Sequence, residues 1–297
     1  RGTAFRPKGC CRPQGGIASG VTMSGSQHSV DGIEVHVEGE GSQTIVMIHG
    51  WPDTHRLWDE TVEGLKSTYR CVRFTLPGFD ITQSPRPTSL AQMTALFSRI
   101  VSTVSPDKPV VLLLHDWGCL FGYEFAARYP EQVSRLVGVD IGDHNSGAYL
   151  RSLPAKAKWQ IFFYQFWLAL AWKLGRFSPS LGDGMTRWMA HAMRCRTAPA
   201  SMGWQMNYPY AMQWFGLLDG FHGAARVNPH CPMLYIYGLR KPFMFQSAQW
   251  LEHISSRPGS VVQAFPTGHW VMAHQPAEFV DCVKGWLTKT LEPENLR

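Results

Sequence analysis

VVLLLHDWG, residues 110–118, joins the most continuously apolar run of the chain to a sharp turn. An uninterrupted apolar run of this length is typical of a central parallel strand that is covered on both faces. Residues 120–129 follow with a helical pattern, so the motif predicts a strand, a tight turn and a helix. A side chain at the top of such a turn projects above the sheet, near the N-terminus of the helix. Asp116 occupies that position, and the simplest alternative is that it only caps the helix.

Strand and helix patterns alternate on both sides of this motif. Strands are predicted at residues 33–38, 44–49, 70–75, 110–115, 133–140, 233–237 and 261–265. Helices are predicted, among others, at residues 90–104, 120–129, 246–253 and 276–291. Alternation of this kind predicts an α/β fold with a doubly wound, mostly parallel sheet.

The alternation is interrupted between residues 145 and 228, where no strand is predicted and Trp, Met, Phe and Tyr are dense. We interpret this segment as a helical cap that lies over the sheet, excludes water and lines an apolar pocket. The predicted organisation is therefore a disordered leader (1–22), a first part of the core (23–144), the cap (145–228) and a second part of the core (229–297).

The composition excludes several classes of protein. The 297 residues are 44% hydrophobic, which excludes global disorder, and the longest apolar run, residues 161–172, is too short for a membrane span. The net charge is +6, but residues 1–22 contribute four basic residues and no acid, so a nucleic-acid partner is not indicated. Met23 looks like a natural start, and organelle targeting by the leader is the weaker interpretation. Seven Cys without a CxxC pair predict reduced thiols and a cytoplasmic location.

Two further motifs stand at the ends of predicted strands. HGWP, residues 49–52, follows the strand at 44–49. The backbone N–H groups of Trp51 and Trp117 can together form an oxyanion hole. GHW, residues 268–270, follows the last predicted strand, which is where a catalytic base belongs in this chain order. His269 is therefore predicted to be that base.

In this order and around a helical insertion, HGWP, HDWG and GHW resemble the α/β-hydrolase superfamily. The resemblance is closest to its epoxide hydrolases and haloalkane dehalogenases, which use an Asp nucleophile, and it covers roughly residues 28–291. It implies a helical cap inserted after the sixth strand of the sheet. It also implies that Asp116 attacks carbon to give an alkyl-enzyme ester, and that His269 activates the water that hydrolyses this ester.

A base of this kind needs an acid that orients it and stabilises its charged form. The resemblance offers two positions, and the first, after the strand at 233–237, contains no acid. The second lies at the end of the strand after the nucleophile helix, where the sequence reads VDIGD over residues 139–143. Asp140 stands 24 residues after Asp116, as in one dehalogenase subfamily. Asp140 is therefore the predicted acid, and Asp143 is the alternative.

The substrate class is open between epoxides and haloalkanes. Epoxide hydrolases of this branch donate hydrogen bonds to the opening ring from cap tyrosines, for which Tyr164, Tyr208 and Tyr210 are the candidates. Dehalogenases hold the halide with Trp117 and a second N–H donor, often an Asn where Trp51 stands here. The predicted acid position favours a dehalogenase, whereas HGWP and the tyrosines favour an epoxide hydrolase, and we favour epoxide hydrolysis narrowly.

A hypothesis from another class is a luciferase-like oxygenase without a cofactor, or a non-catalytic ligand-binding protein on the same fold. No cofactor and no metal are predicted, because HExxH, CxxC and GxxxxGK[ST] motifs are lacking in the sequence. The expected partner is a small apolar substrate. Nucleic acid and an integral membrane span are not expected, and the oligomeric state stays open.

Overall fold

A computed structural model describes residues 25–289, so the predicted leader lies outside the described residues. Eight strands form one sheet: β1 (Gly25–Val30), β2 (Ile33–Glu38), β3 (Thr44–Ile48), β4 (Arg70–Phe74), β5 (Val110–His115), β6 (Val133–Val139), β7 (Met233–Gly238) and β8 (Val261–Phe265). The order across the sheet is β1-β2-β4-β3-β5-β6-β7-β8. β1 and β2 are antiparallel to their neighbours, and all other pairs are parallel.

β1 is the strand that the sequence pattern did not predict. It lies at the sheet edge, and most of its GSQHSV side chains are exposed, so it lacks the apolar alternation of a half-buried strand. With β1 counted, β6 is the sixth strand, and the helical insertion follows it. The predicted fold class, a doubly wound and mostly parallel sheet with a helical cap after the sixth strand, is confirmed.

Ten α-helices surround the sheet within residues 25–289: α1 (Asp59–Leu65), α2 (Leu90–Val104), α3 (Trp117–Arg128), α4 (Gly147–Ser152), α5 (Ala155–Gly175), α6 (Pro179–Ala192), α7 (Tyr208–Phe215), α8 (Ala248–Ser255), α9 (Val271–His274) and α10 (Pro276–Lys289). Short 3₁₀ helices occupy His55–Trp58, Pro130–Gln132, Pro199–Ser201, Trp204–Asn207 and Leu217–Asp219. α3 begins three residues earlier than predicted, directly after Asp116.

The continuous apolar run of β5 is explained by cover on both faces of the sheet. All six β5 residues are buried. Leu112 and Leu114 join the core on the side of α2 and α3, whereas Val111 and Leu113 join the core on the side of α1 and α10. A strand that buries both faces has no polar alternation, and this places β5 at the centre of the sheet.

The segment between β6 and β7 contains α4, α5, α6 and α7 and no strand. α5 is its longest helix and packs against both α6 and α7. Burial of Leu168, Ala169 and Trp172 holds α5 to the rest of the protein. No helix within residues 25–289 is long and apolar enough to cross a membrane.

Candidate active site

The predicted turn at Asp116 is present, and two glycines allow the neighbouring loop to approach it closely. Asp116 lies between β5 and α3 with φ 51° and ψ −124°, a conformation that costs free energy for a residue with a side chain. A Cβ atom on Gly118 would lie 2.3 Å from the carbonyl oxygen of Ile48. A Cβ atom on Gly50 would lie 2.3 Å from Oδ1 of Asp116. Both glycines are thus required for the close approach of the loop after β3 to the turn after β5.

The Asp116 side chain is directed away from the role of a helix cap. It makes no capping hydrogen bond to α3. Its Oδ1 accepts a hydrogen bond of 2.7 Å from the backbone N–H of Trp51. Its Oδ2 lies 3.4 Å from Nε2 of His269. One carboxylate oxygen is therefore held by the backbone, and the other faces the imidazole.

His269 lies between two carboxylates that come from different strands. Asp140, directly after β6, accepts a hydrogen bond from Nδ1 of His269 through Oδ2. Its Oδ1 accepts hydrogen bonds from the backbone N–H of Gly238, at 2.9 Å, and from Nζ of Lys241. Since Asp140 is fully buried and its carboxylate only accepts, the His269 proton belongs on Nδ1. Nε2 is then left to act toward Asp116.

Asp143, the alternative acid, is bound elsewhere. Its Oδ1 accepts from the backbone N–H of Ser247 at 2.7 Å, and its Oδ2 accepts from the hydroxyl groups of Ser247 and Ser146. These bonds join the loop after β6 to the start of α8. The structure brings Asp140 to His269 and gives Asp143 this other set of partners.

The charged forms of Asp116, His269 and Asp140 stabilise one another. Burial disfavours the charged imidazolium of His269, but Asp140 and Asp116 outweigh burial and raise its pKa to about 9. Burial would raise the pKa of Asp116, but the hydrogen bond and charge of His269 hold it below the usual value. Asp140 likewise has a lowered pKa, because Lys241 and His269 outweigh the effect of burial. In the free protein both carboxylates are therefore ionised at neutral pH.

A cavity of about 690 Å³ lies above this chain of residues, between the core and the cap. Asp116 and His269 line it from the core side. Most of the remaining lining is aromatic or aliphatic, which suits an apolar ligand. Its main aromatic members are Trp51, Phe163, Tyr164, Trp188, Tyr210, Phe243, Phe245 and Trp270.

Two of the three predicted tyrosines reach this cavity. Tyr164 on α5 and Tyr210 on α7 both line it, with ring centroids 6.2 Å apart. Tyr210 also packs edge-on against Trp117, with ring centroids 5.0 Å apart. Burial raises the pKa of Tyr210 well above its usual value, so its hydroxyl keeps its proton at neutral pH and can donate it.

Tyr208 does not line the cavity, contrary to the prediction that it is one of the tyrosines that face the substrate. It is fully buried against Phe79, with ring centroids 6.0 Å apart, and is not among the lining residues. Its hydroxyl has no hydrogen-bond partner among residues 25–289. Tyr208 and Tyr210 stand two positions apart on α7, so their side chains leave the helix about 200° apart.

The two predicted halide donors are engaged in other contacts. The indole N–H of Trp51 donates to Oδ1 of Asn207 at 2.8 Å, although its backbone N–H serves Asp116. Trp117 lines a second cavity of about 580 Å³ rather than the one above Asp116. Its indole packs edge-on against the Tyr210 ring. Neither indole is thus placed as a donor into the cavity that Asp116 faces.

Sequence reasoning missed two charged residues next to the site. Lys241 lies three residues after β7 and binds Asp140, and the signal for it was the basic pair RK at residues 240–241 after a predicted strand. Asp53 is buried in the loop after β3, where it accepts from the indole of Trp270 at 2.9 Å and from the hydroxyl of Thr197. Burial raises the pKa of Asp53 to about 6. Among residues 25–289, no group of three or more His, Cys, Asp and Glu is arranged to hold a metal ion.

Comparisons with known proteins agree with this architecture. Residues 45–282 match the model of the alpha/beta hydrolase family. The chain therefore belongs to the α/β-hydrolase family. An epoxide hydrolase from Bacillus megaterium has a similar solved structure, with a TM-score of 0.66 and 17% identity, over 89% of this chain and 100% of that one. At this identity, the likeness concerns the fold alone.

Curated relatives match shorter segments. "Epoxide hydrolase 1" of Caenorhabditis elegans is 28% identical over 142 residues, which are 45% of this chain and 35% of that protein. A Mycobacterium tuberculosis protein named "Probable oxidoreductase EphD" is 36% identical over 112 residues, which are 36% of this chain and 19% of that protein. The match thus spans about a fifth to a third of the length of these relatives.

Proposed function

We propose that this protein is a hydrolase that opens an apolar epoxide to a diol through an alkyl-enzyme ester on Asp116. The proposal rests on the different contacts of the two Asp116 carboxylate oxygens. Oδ1 is held by the backbone N–H of Trp51, whereas Oδ2 lies beside His269 at the cavity. The names of the epoxide hydrolase relatives support the same reaction class.

In the first step, Oδ2 of ionised Asp116 attacks an epoxide carbon from the cavity. The carbon–oxygen bond of the ring breaks, and its electron pair goes to the ring oxygen. Tyr210, which lines the cavity and keeps its proton at neutral pH, donates that proton to the ring oxygen. Tyr164 stands on the same side of the cavity as a second donor.

In the second step, His269 removes a proton from water through Nε2, and the resulting hydroxide attacks the carbonyl carbon of the ester. The ester carbonyl oxygen is Oδ1, which the Trp51 N–H already holds, so the developing negative charge meets a donor that needs no rearrangement. Collapse of the intermediate breaks the acyl carbon–oxygen bond and frees Asp116. The leaving alkoxide takes the proton of the freed Asp116 carboxyl group, so Asp116 is ionised again and the diol departs.

The pKa of His269 changes in the direction that the mechanism needs. The pKa of about 9 in the free protein rests partly on the negative charge of Asp116. Ester formation removes that charge, so the pKa of His269 falls in the intermediate. The imidazolium therefore returns its proton to the Tyr210 phenolate, and becomes a neutral base, only once there is an ester to hydrolyse.

Haloalkane dehalogenation is the second candidate, because the same nucleophile and base serve both reactions. The Trp51 indole donates to Asn207, and the Trp117 indole lines another cavity, and both observations argue against it. A halide needs N–H donors that point at the leaving atom, and neither indole offers one in the cavity above Asp116.

The test is the intact mass of the His269→Gln variant after exposure to a panel of aryl and alkyl epoxides and bromoalkanes. Without its base, the enzyme is expected to stall as the ester, with a gain equal to a whole epoxide. Asp116→Asn in the same panel is the control and should gain nothing. A gain equal to an alkyl group without its halogen would establish dehalogenation instead. No adduct with any compound would overturn the Asp116 nucleophile.

A further inference from the structure

The outer face of α5 carries large aromatic side chains that are exposed to solvent. Trp159, Phe162, Phe163 and Phe166 are spaced at i, i+3, i+4 and i+7, so they share one side of the helix. Trp159 is 70% exposed and Phe163 is 52% exposed. α5 also buries its other side, so it is hydrophobic nearly all round, which is unusual for a helix at a surface.

This apolar surface continues onto neighbouring helices of the cap. The Phe166 ring lies 5.8 Å from Phe215 on α7, and Trp167 joins Phe163, at 6.0 Å, to Trp188 on α6, at 4.9 Å. We call the combined surface the aromatic face; it consists of Trp159, Phe162, Phe163, Phe166, Trp188 and Phe215. All six side chains are exposed, and contiguous exposed patches of this kind mark interaction sites.

The charge of the cap is opposite to that of the core. Residues 145–228 contain nine Lys and Arg and two Asp, a net charge of +7. The other residues that the structure describes, 25–144 and 229–289, contain fourteen Lys and Arg and eighteen Asp and Glu, a net charge of −4. The positive charge is thus concentrated in the part of the chain that carries the aromatic face.

Lysines stand at both ends of the aromatic stripe on α5. Lys156 and Lys158 precede Trp159 and are exposed. Lys173 is exposed at the other end and lies over the Phe215 ring, 5.5 Å from its centroid. A helix with Trp and Phe on one face and Lys at its borders has the composition of helices that lie in a membrane interface.

The aromatic face is continuous with the catalytic cavity. Phe163 and Trp188 are both exposed to solvent and line the cavity above Asp116. A surface that covers the aromatic face would therefore also cover an opening of this cavity. An apolar molecule dissolved in that surface would reach the cavity without crossing water.

We propose that the aromatic face docks on an anionic lipid surface, with Trp159 and its neighbours in the headgroup region and the flanking lysines on anionic headgroups. The positive charge of the cap distinguishes among the partners that could cover an apolar face. A second copy of the cap would bring two positively charged faces together. Residues 1–24 carry four basic residues and no acid, so the charge of this segment does not complement the aromatic face either. An anionic bilayer complements both the aromatic rings and the positive charge.

The experiment is vesicle flotation of the full chain with neutral phosphatidylcholine and with vesicles that contain about 30% phosphatidylserine. The protein is expected to float with the anionic vesicles and to be released when salt rises from about 0.1 M to about 0.5 M. Trp159→Gln and the double variant Lys156→Glu/Lys158→Glu are each expected to lower the bound fraction about tenfold. Vesicle binding does not depend on turnover, so its outcome is independent of the proposed hydrolysis.

Matched controls lie on the core. Leu239→Gln changes an apolar side chain that is 50% exposed, and Lys108→Glu changes an exposed charge. Both should leave binding within about twofold of the parent, and all variants should keep the parent melting temperature because exposed substitutions cost little. Flotation that Trp159→Gln leaves unchanged, or that is equal on neutral vesicles, would overturn the proposal. So would a dimer in light scattering that Trp159→Gln converts to monomer while no vesicle binding occurs.

Discussion

The core and the cap contribute to the site in different ways. On the core side, Asp116, Asp140 and His269 each follow a strand of the sheet, and their positions are set by backbone geometry and hydrogen bonds. On the cap side, Tyr164 and Tyr210 stand on helices and are held mainly by contacts between aromatic rings. In the proposed function, the core side supplies the reacting groups, whereas the cap side surrounds the ligand.

Several hydrogen bonds tie the two halves together, and two of them involve the loop after β3. The Trp51 indole donates to Asn207, which in turn donates to Thr186 at 2.7 Å. Asp53 in the same loop accepts from Thr197 of the cap segment. Because this loop also supplies the N–H that holds Asp116, it joins the position of the cap to that of the proposed nucleophile.

The largest effect is expected for the core carboxylate. Asp116→Asn keeps the shape and an oxygen for the Trp51 N–H, but it removes the charge that attacks carbon. We expect epoxide turnover to fall about 10⁴-fold, which corresponds to about 5.5 kcal/mol in the activation barrier. Steady-state diol formation measures it, and Asp107→Asn, at an exposed core position, is the control. More than a tenth of the parent activity in Asp116→Asn would place the chemistry elsewhere.

The second expected effect is on stability. It compares a glycine of the core that has no space for a side chain with a glycine of the cap that has such space. Gly118→Ala would put a Cβ atom 2.3 Å from the carbonyl oxygen of Ile48, so the turn must open. We expect a loss of about 3 kcal/mol in the free energy of unfolding, measured by urea denaturation. Gly184→Ala on α6 of the cap meets nothing within 4 Å and should instead be neutral or stabilising by up to about 1 kcal/mol. Equal losses in both variants would contradict the comparison.

The third effect tests the cap tyrosines against each other. Tyr210→Phe removes the proposed proton donor, and we expect the alkylation rate to fall about 100-fold. Tyr208→Phe removes a buried hydroxyl that has no partner among residues 25–289, so it should leave that rate unchanged. Single-turnover kinetics of ester formation measure both. Equal losses in the two variants would mean that the tyrosines contribute only packing and that Tyr210 is not a proton donor.

The smallest effect is a shift in pH dependence. Lys241→Met removes a positive charge from Asp140, so the carboxylate stabilises the His269 imidazolium more strongly and the pKa of His269 rises. Because only neutral His269 acts as a base, hydrolysis of the ester should begin at higher pH, by about one unit. Rapid-quench mass spectrometry of ester decay across pH measures the shift. Lys241→Arg keeps the charge and should restore the parent profile, and a shift toward lower pH would contradict the arrangement.

Much of the fold was readable before the structure, because its signals are local. A continuous apolar strand, a tight turn at Asp116 and the alternation of strands with helices predict the sheet from neighbouring residues. The order of HGWP, HDWG and GHW along the chain predicts which strand ends carry the functional side chains. β1 escaped prediction because an exposed edge strand has little apolar pattern.

Only the tertiary structure decided which residues meet. Asp140 and Asp143 differ by three positions in sequence, but one reaches His269 and the other binds Ser247. Tyr208 and Tyr210 differ by two, and their helix turns one into the core and the other into the cavity. Lys241 reaches Asp140 across two adjacent strands. Residue types and spacing determine local structure, whereas such contacts depend on the direction of each side chain after the elements have packed.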